Sequence, residues 1–232
     1  MRDVVLVSYA RTGLAKSVRG GFNITHGAAL AGHAIQHAIA RAGIDPAAVE
    51  DVVLGCGQPE GATGHNVARN AAIWAGCPVT TSGTTINRFC SSGLQSIAVG
   101  AHYIAQEGAE VVVAGGVESL SLVQLGGHLN TYFFTEEKLM RERPDLWMPM
   151  IETADIVAER YGISREAQDE YALQSQQRTA ALASISTRAA APSDIWEALP
   201  AVTVLPGPRT GCRPASASRV VLGRLHSSFS TT

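Results

Sequence analysis

The stretch Ile86-Asn87-Arg88-Phe89-Cys90-Ser91-Ser92-Gly93-Leu94 decides how the rest of the chain is read. On its N-terminal side, Gly83-Thr84-Thr85-Ile86-Asn87 is rich in β-branched residues and predicts a short strand. On its C-terminal side, Leu94, Ile97, Ala98, Ala101, Ile104 and Ala105 recur at helical spacing. Cys90 thus falls where a strand turns into a helix, with Ser91 and Ser92 as natural N-terminal caps. Open backbone N–H groups and the positive end of the helix dipole favour an anion at such a place. That setting promotes a thiolate and can hold a developing oxyanion. The small Gly93 lets another backbone or a substrate come close. The pattern reads as a nucleophile turn, and an inert buried thiol is the alternative on local pattern alone.

Working outward, Val4-Val5-Leu6-Val7-Ser8-Tyr9-Ala10 predicts a strand buried on both faces. Thr25 is expected to cap a helix running through Arg41, which Gly43 ends. Asp45-Pro46 restarts a short helical turn. Asp51-Val52-Val53-Leu54-Gly55-Cys56-Gly57 is a second buried strand, followed by a helix from Asn66 to Ala75. The Cys90 strand and helix come next, then the strand Val111–Gly115. The order β-α-β-α-β-α-β predicts a mostly parallel sheet with crossover helices. The helix after Cys90 is apolar or small around most of its circumference, which predicts burial on all sides. One sheet covers one side only, so something else must pack there.

At 232 residues the chain is long enough for one or two domains burying roughly 70% of the unfolded surface. A net charge of −2 with 16% charged residues leaves no basic surface for nucleic acid. No run of about 18 apolar residues exists, so no membrane span is expected. The N-terminus enters a strand at once, leaving no room for a signal peptide. Cys56, Cys77, Cys90 and Cys212 lack CxxC or metal-ligand spacing, so reduced thiols in a cytoplasmic protein are expected, with no metal site.

Asn87-Arg88-Phe89-Cys90-Ser91-Ser92-Gly93-Leu94-Gln95 closely resembles the nucleophile signature of the thiolases, which make and break 3-ketoacyl-CoA thioesters. Val113-Ala114-Gly115-Gly116-Val117-Glu118-Ser119 resembles the strand and loop that follow it in that family. Arg11-Thr12-Gly13 is similar to the family's R-T-P/A turn, with glycine last. Met150–Asp155 and Tyr161–Asp169 match family helices, and Leu120 to Met150 resembles the loop domain that covers the active site and lines the pantetheine tunnel.

The resemblance implies an α/β fold: a thiolase-like N-terminal half with a mostly parallel sheet, helices on both faces and a helical loop domain. The expected divisions are 1–119 for the α/β core, 120–182 for the loop domain and helices, and 183–232 for an atypical tail. In thiolases two similar halves stack in five layers with the nucleophile helix in the shared central layer. The implied function is acyl transfer, exchanging acyl-CoA plus acetyl-CoA with 3-ketoacyl-CoA plus CoA. Cys90 maps onto the acylated cysteine and its backbone N–H onto part of an oxyanion hole, while Met150 maps onto a residue lining the acyl pocket. Coenzyme A thioesters are substrates and no cofactor is implied. A homodimer or homotetramer is expected if the complete fold forms.

The resemblance stops after Gln177-Arg178-Thr179-Ala180. Pro192, Pro200, Pro206, Pro208 and Pro214 interrupt the tail, which we expect to be disordered or a product of truncation or frame change, with an unfamiliar small domain as the alternative. The family's other catalytic residues, in N-E-A-F, G-H-P and C-x-G-G-G stretches, have no match here, and the chain is roughly half the usual length. Two other readings therefore stand beside the acyltransferase: a non-catalytic fragment that only dimerises or binds a partner, and a ketosynthase-like condensing enzyme. His33 and His37, one turn apart, read as a partly exposed helix face rather than a metal pair. His65 is expected at a dimer interface or assisting a cap, and His102 as a satisfied polar residue. Gly115-Gly116 reads as close packing beneath Cys90.

Overall fold

Alternate residues of one strand divide the core between two faces of a sheet, as the two-residue repeat of β-structure requires. In a computed structural model, which describes residues 3–125, 128–186 and 202–206, strand β2 (Asp51–Gly55) is buried at every position after its first. Val52 and Leu54 face helix α1 (Gly27–Ala42) and helix α2 (Val67–Trp74), packing with Ala31, Ile35, Ile39, Ala68, Ala71 and Ala72. Val53 faces the other way and packs with Ile104 and with Val112 and Ala114 of strand β4 (Val112–Gly116). Helix α3 (Ser92–His102) lies on that second face. Helices therefore cover both faces, as expected.

Among the described residues the sheet has five strands, ordered β1-β5-β4-β2-β3, where β1 is Val4–Ser8, β3 is Ser82–Ile86 and β5 is Val202–Pro206. β2 pairs in parallel with β3 (Asp51 opposite Ser82) and with β4 (Asp51 opposite Val112). β5 runs antiparallel to both β1 and β4, so β1, β2, β3 and β4 all point one way. The strand β5 falls inside the tail from which the prolines had been expected to exclude any element. A proline at the last position of a strand, as Pro206 is, leaves the preceding ladder amides intact. The rest of the expectation for 183–232 lies largely outside the described residues.

Local chemistry explains most element ends. α1 stops at Gly43, whose φ of 66° is the left-handed conformation that glycine adopts freely. Its N-cap is His26, not Thr25: the ring Nδ1 accepts the Ala28 N–H at 3.2 Å. Asp45 Oδ1 accepts the Ala47 N–H at 2.9 Å ahead of Pro46, as the cap-and-proline pattern predicts. Asn66 caps α2 and ties it to the neighbouring strand, donating to the Gly83 carbonyl at 2.7 Å and accepting from the Thr85 hydroxyl at 2.9 Å.

The described chain divides into two compact units, one reaching to His128 and including β5, the other starting at Leu129. The division comes later than Ser119 because the turn Leu120–Gln124 belongs to the first unit: Val123 is buried, and the Ser121 hydroxyl accepts the Val18 N–H at 2.8 Å. The second unit holds α4 (Glu137–Glu142), α5 (Met150–Arg160) and α6 (Arg165–Ser186). Ser164 starts α6, its hydroxyl accepting from the Ala167 N–H at 3.2 Å, and Arg165 pairs with Asp169 at 2.9 Å. No helix among the described residues is long and apolar enough to cross a membrane.

Candidate active site

β3 ends at Ile86 and α3 begins at Ser92, leaving a single 3-10 turn, Phe89–Ser91, to reverse the chain. Cys90 is the middle residue of that turn and is exposed. Turning so sharply forces Phe89 to a φ of 45°, a costly conformation for a residue with a Cβ. Side chains hold it there. Asn87 Oδ1 accepts the Phe89 N–H at 2.8 Å. The Ser92 hydroxyl accepts the Arg88 N–H at 2.8 Å and donates to the Phe89 carbonyl at 2.6 Å. The amides of Ser91 and Ser92 donate to the Arg88 and Phe89 carbonyls. None of these bonds uses the amide of Cys90. Ser91, expected as a cap, makes no side-chain cap bond, and Ser92, the first residue of α3, spends its hydroxyl on the preceding turn rather than on capping the helix.

The turn is seated on the ends of two strands. A methyl group at Gly55 would overlap the backbone of Ser92 and Gly93. One at Gly116 would lie 3.3 Å from Gly93 Cα, and one at Gly57 would lie 3.5 Å from the Phe89 carbonyl group. The close approach expected at Gly93 is therefore real, but the residues that must lack a side chain are its neighbours; a Cβ on Gly93 itself meets nothing within 4 Å. The buried Ser96 hydroxyl sits between the carbonyl oxygens of Gly93, at 2.7 Å, and Gly115, at 2.5 Å. Gly115-Gly116 thus packs beneath the turn, as read from the sequence.

Just past β2 and β4 the two chains are tied together. Glu118 accepts the Gly57 N–H at 2.8 Å with one carboxylate oxygen, and the other lies 3.8 Å from Cys56 Sγ. Burial pushes the Cys56 thiol up from its ordinary range, and the Glu118 charge adds to the shift. Burial also pushes Cys77 up. Sequence reading gave no role to Gly55, Gly57 or Glu118. The spacing of glycines two apart at a strand end was the available signal, since it marks one face kept bare for a close neighbour.

The other candidate residues fall as follows. Met150 opens α5 in the second unit, is exposed, and so does not share a unit with Cys90. The rings of His33 and His37 are 4.4 Å apart on α1, and burial followed by the charge of His37 lowers the pKa of His33. No group of three or more His, Cys, Asp or Glu side chains among the described residues could hold a metal ion. His65 has a φ of 51° and offers its carbonyl to the Asn70 side chain at 3.2 Å, while His102 is the exposed last residue of α3.

Compared with known proteins, residues 4–187 match the family model described as "Thiolase, N-terminal domain". A "3-ketoacyl-CoA thiolase" of Bacillus subtilis (strain 168) is 38% identical over 180 residues, covering 78% of this chain and 45% of that protein. An "Acetyl-CoA acetyltransferase" of Cupriavidus necator is 39% identical over 190 residues, covering 78% of this chain and 48% of that protein. A "Beta-ketoadipyl-CoA thiolase" of Escherichia coli is 40% identical over 150 residues, covering 59% and 37%. The chain spans about half the length of the curated relatives it matches.

Proposed function

Because this chain belongs to the thiolase family, we propose that it carries the acyl-accepting step of a thiolase-type acyltransferase, with Cys90 as the nucleophile. The observation that supports this is an exposed thiol in a turn closed by Asn87 and Ser92 and seated on bare strand ends. In this reading the Cys90 thiolate attacks the carbonyl carbon of an acyl-CoA thioester, and the electron pair moves onto the carbonyl oxygen. The Cys90 amide, unspent in the bonds that close the turn, is one donor to that oxygen. The bond from carbon to the coenzyme A sulfur then breaks. Coenzyme A leaves as a thiolate and takes up the proton that Cys90 gave to solvent, and the acyl group stays as a thioester on Cys90. Met150 is proposed to line the acyl pocket.

Completing the exchange needs a second acceptor. Either coenzyme A thiolate attacks the acyl group, or an enolate of acetyl-CoA does, which requires a base and donors for the enolate. The family places these in stretches with no match in this sequence. Losing a general acid–base costs about 10²–10⁴ in rate and losing an oxyanion donor about 10²–10³. We therefore expect stoichiometric acylation of Cys90 by acetyl-CoA, with no sustained thiolysis of acetoacetyl-CoA by these 232 residues. Peptide mapping after incubation with acetyl-CoA tests this. An acetyl group on Cys90 that Cys90→Ala removes supports it; a folded chain that stays unmodified at Cys90 overturns the nucleophile assignment. Continuous coenzyme A-dependent loss of acetoacetyl-CoA would overturn the stoichiometric limit. The outer side of α3, where Leu94 is 74% exposed, favours in addition a partner covering that helix in the working assembly, as in a homodimer or homotetramer.

A further inference from the structure

A carboxylate, Glu118, is built into the seat under Cys90, and the acyl-transfer chemistry above does not use it. Gly57 is the outermost contact between the end of β2 and the nucleophile turn, lying against the Phe89 carbonyl group. Its amide has passed the last ladder position of β2, Gly55, which pairs with Ile86 and Gly116. Left to the backbone, that N–H would have no strand partner, and the loop bearing Gly57 would be free to move away from Phe89. Glu118 supplies the partner. Its carboxylate reaches from just beyond β4 to accept the Gly57 N–H at 2.8 Å, and the second oxygen faces the buried Cys56 thiol at 3.8 Å. Charge-assisted bonds of this kind are shorter and stronger than neutral ones. The fit leaves little slack: a Cβ on Gly57 would lie 3.0 Å from the accepting oxygen.

We propose that Glu118 is a positioning residue for the nucleophile, holding Gly57 against Phe89 so that Cys90 stays at the N-terminal end of α3. This deepens the function proposed above and rests on Cys90 being its nucleophile. Two properties of the carboxylate act in opposite directions. As an acceptor it fixes Gly57 and, through it, the turn that presents Cys90. As a negative charge it works against a thiolate nearby. An amide side chain keeps the first property and removes the second, which makes the two separable.

The test is alkylation of the complete chain by iodoacetamide near neutral pH, with rates mapped separately to Cys90, Cys56 and Cys77. The reagent needs no thioester site, so its result stands or falls apart from acylation by acetyl-CoA. Glu118→Ala, folded by circular dichroism, is expected to slow Cys90 about tenfold, the low end for losing a hydrogen bond to a charged group. Cys77 should keep its parental rate. Glu118→Gln should label Cys90 at the parental rate or faster and carry the same pH profile shape. Should Glu118→Ala fail to fold, Gly57→Ala displaces the carboxylate from the other side and is expected to slow Cys90 in the same way. A Cys90 rate within twofold of the parent in Glu118→Ala or Gly57→Ala, or equal slowing in the Ala and Gln variants, would overturn the assignment.

Discussion

Cys56, Cys77 and Cys90 occupy different settings, and their reactivity should separate accordingly. Cys56 and Cys77 are buried, and burial keeps both protonated beyond the ordinary thiol range. Cys90 is exposed in the turn that precedes α3, where a reagent can reach it. Iodoacetamide near neutral pH should therefore modify Cys90 first, and equal rates at all three would contradict the nucleophile turn. Cys90→Ala removes an exposed side chain and should leave the melting temperature within a degree or so, given that such surface changes shift stability by about 0.5 kcal/mol or less. Cys90 was legible in the sequence because strand, cap and helix signals converge on it within nine residues. Glu118 was not, because its partner Gly57 is remote in sequence and a backbone amide has no letter of its own.

At the scale of elements, α3 shows what periodicity can and cannot decide. The apolar residues Leu94, Ile97, Ala98, Ala101, Ile104 and Ala105 announced a helix, and there is one. They did not announce which side meets the sheet. The buried positions of α3 are Ser92, Ser96 and Gly100, spaced four apart, with Ile104 continuing the row. Small residues let the helix approach closely, and a pattern search that counts only apolar residues passes over Ser96. The helix expected to be buried all round is instead open on its outer side, because a single sheet is all that the described residues offer it. Gly55→Ala should test the approach: the new methyl overlaps Ser92, so a loss of about 3 kcal/mol, the upper end of ordinary overpacking, is expected in chemical denaturation. Ser96→Ala leaves two carbonyls without their shared donor and should cost about 1–2 kcal/mol. No loss in either variant would mean that the turn is not seated as described. β5 was illegible for another reason: prolines mark where strands stop, and the reading gave them the whole tail.

For the whole molecule, stability should have a plateau with two shoulders. The folded pKa of His33 lies below its ordinary value of 6.5, so the unfolded chain binds more protons as pH falls from there, and stability drops on that side. The folded thiols of Cys56 and Cys77 lie above the ordinary 9.0, so the unfolded chain loses protons first as pH rises, and stability drops on that side too. Melting temperature against pH should be flattest between these limits; His33→Gln should soften the acid shoulder. A hydrophobic dye should bind strongly, or the chain should run as an oligomer, since Leu94 on α3 and Ile24, Val79 and Phe89 elsewhere in the first unit are exposed. A dye-silent monomer would contradict this. The place of β5 also sets a timetable. The ribosome delivers β1, β2, β3 and β4 before β5, yet β5 is the strand that joins β1 to β4. Until β5 is made, the flank of β4 and the whole of β1 are raw edges awaiting a strand, and raw edges recruit other chains. Yield in a cell should therefore depend on how soon β5 follows β4 from the ribosome and on what shields those edges until it does.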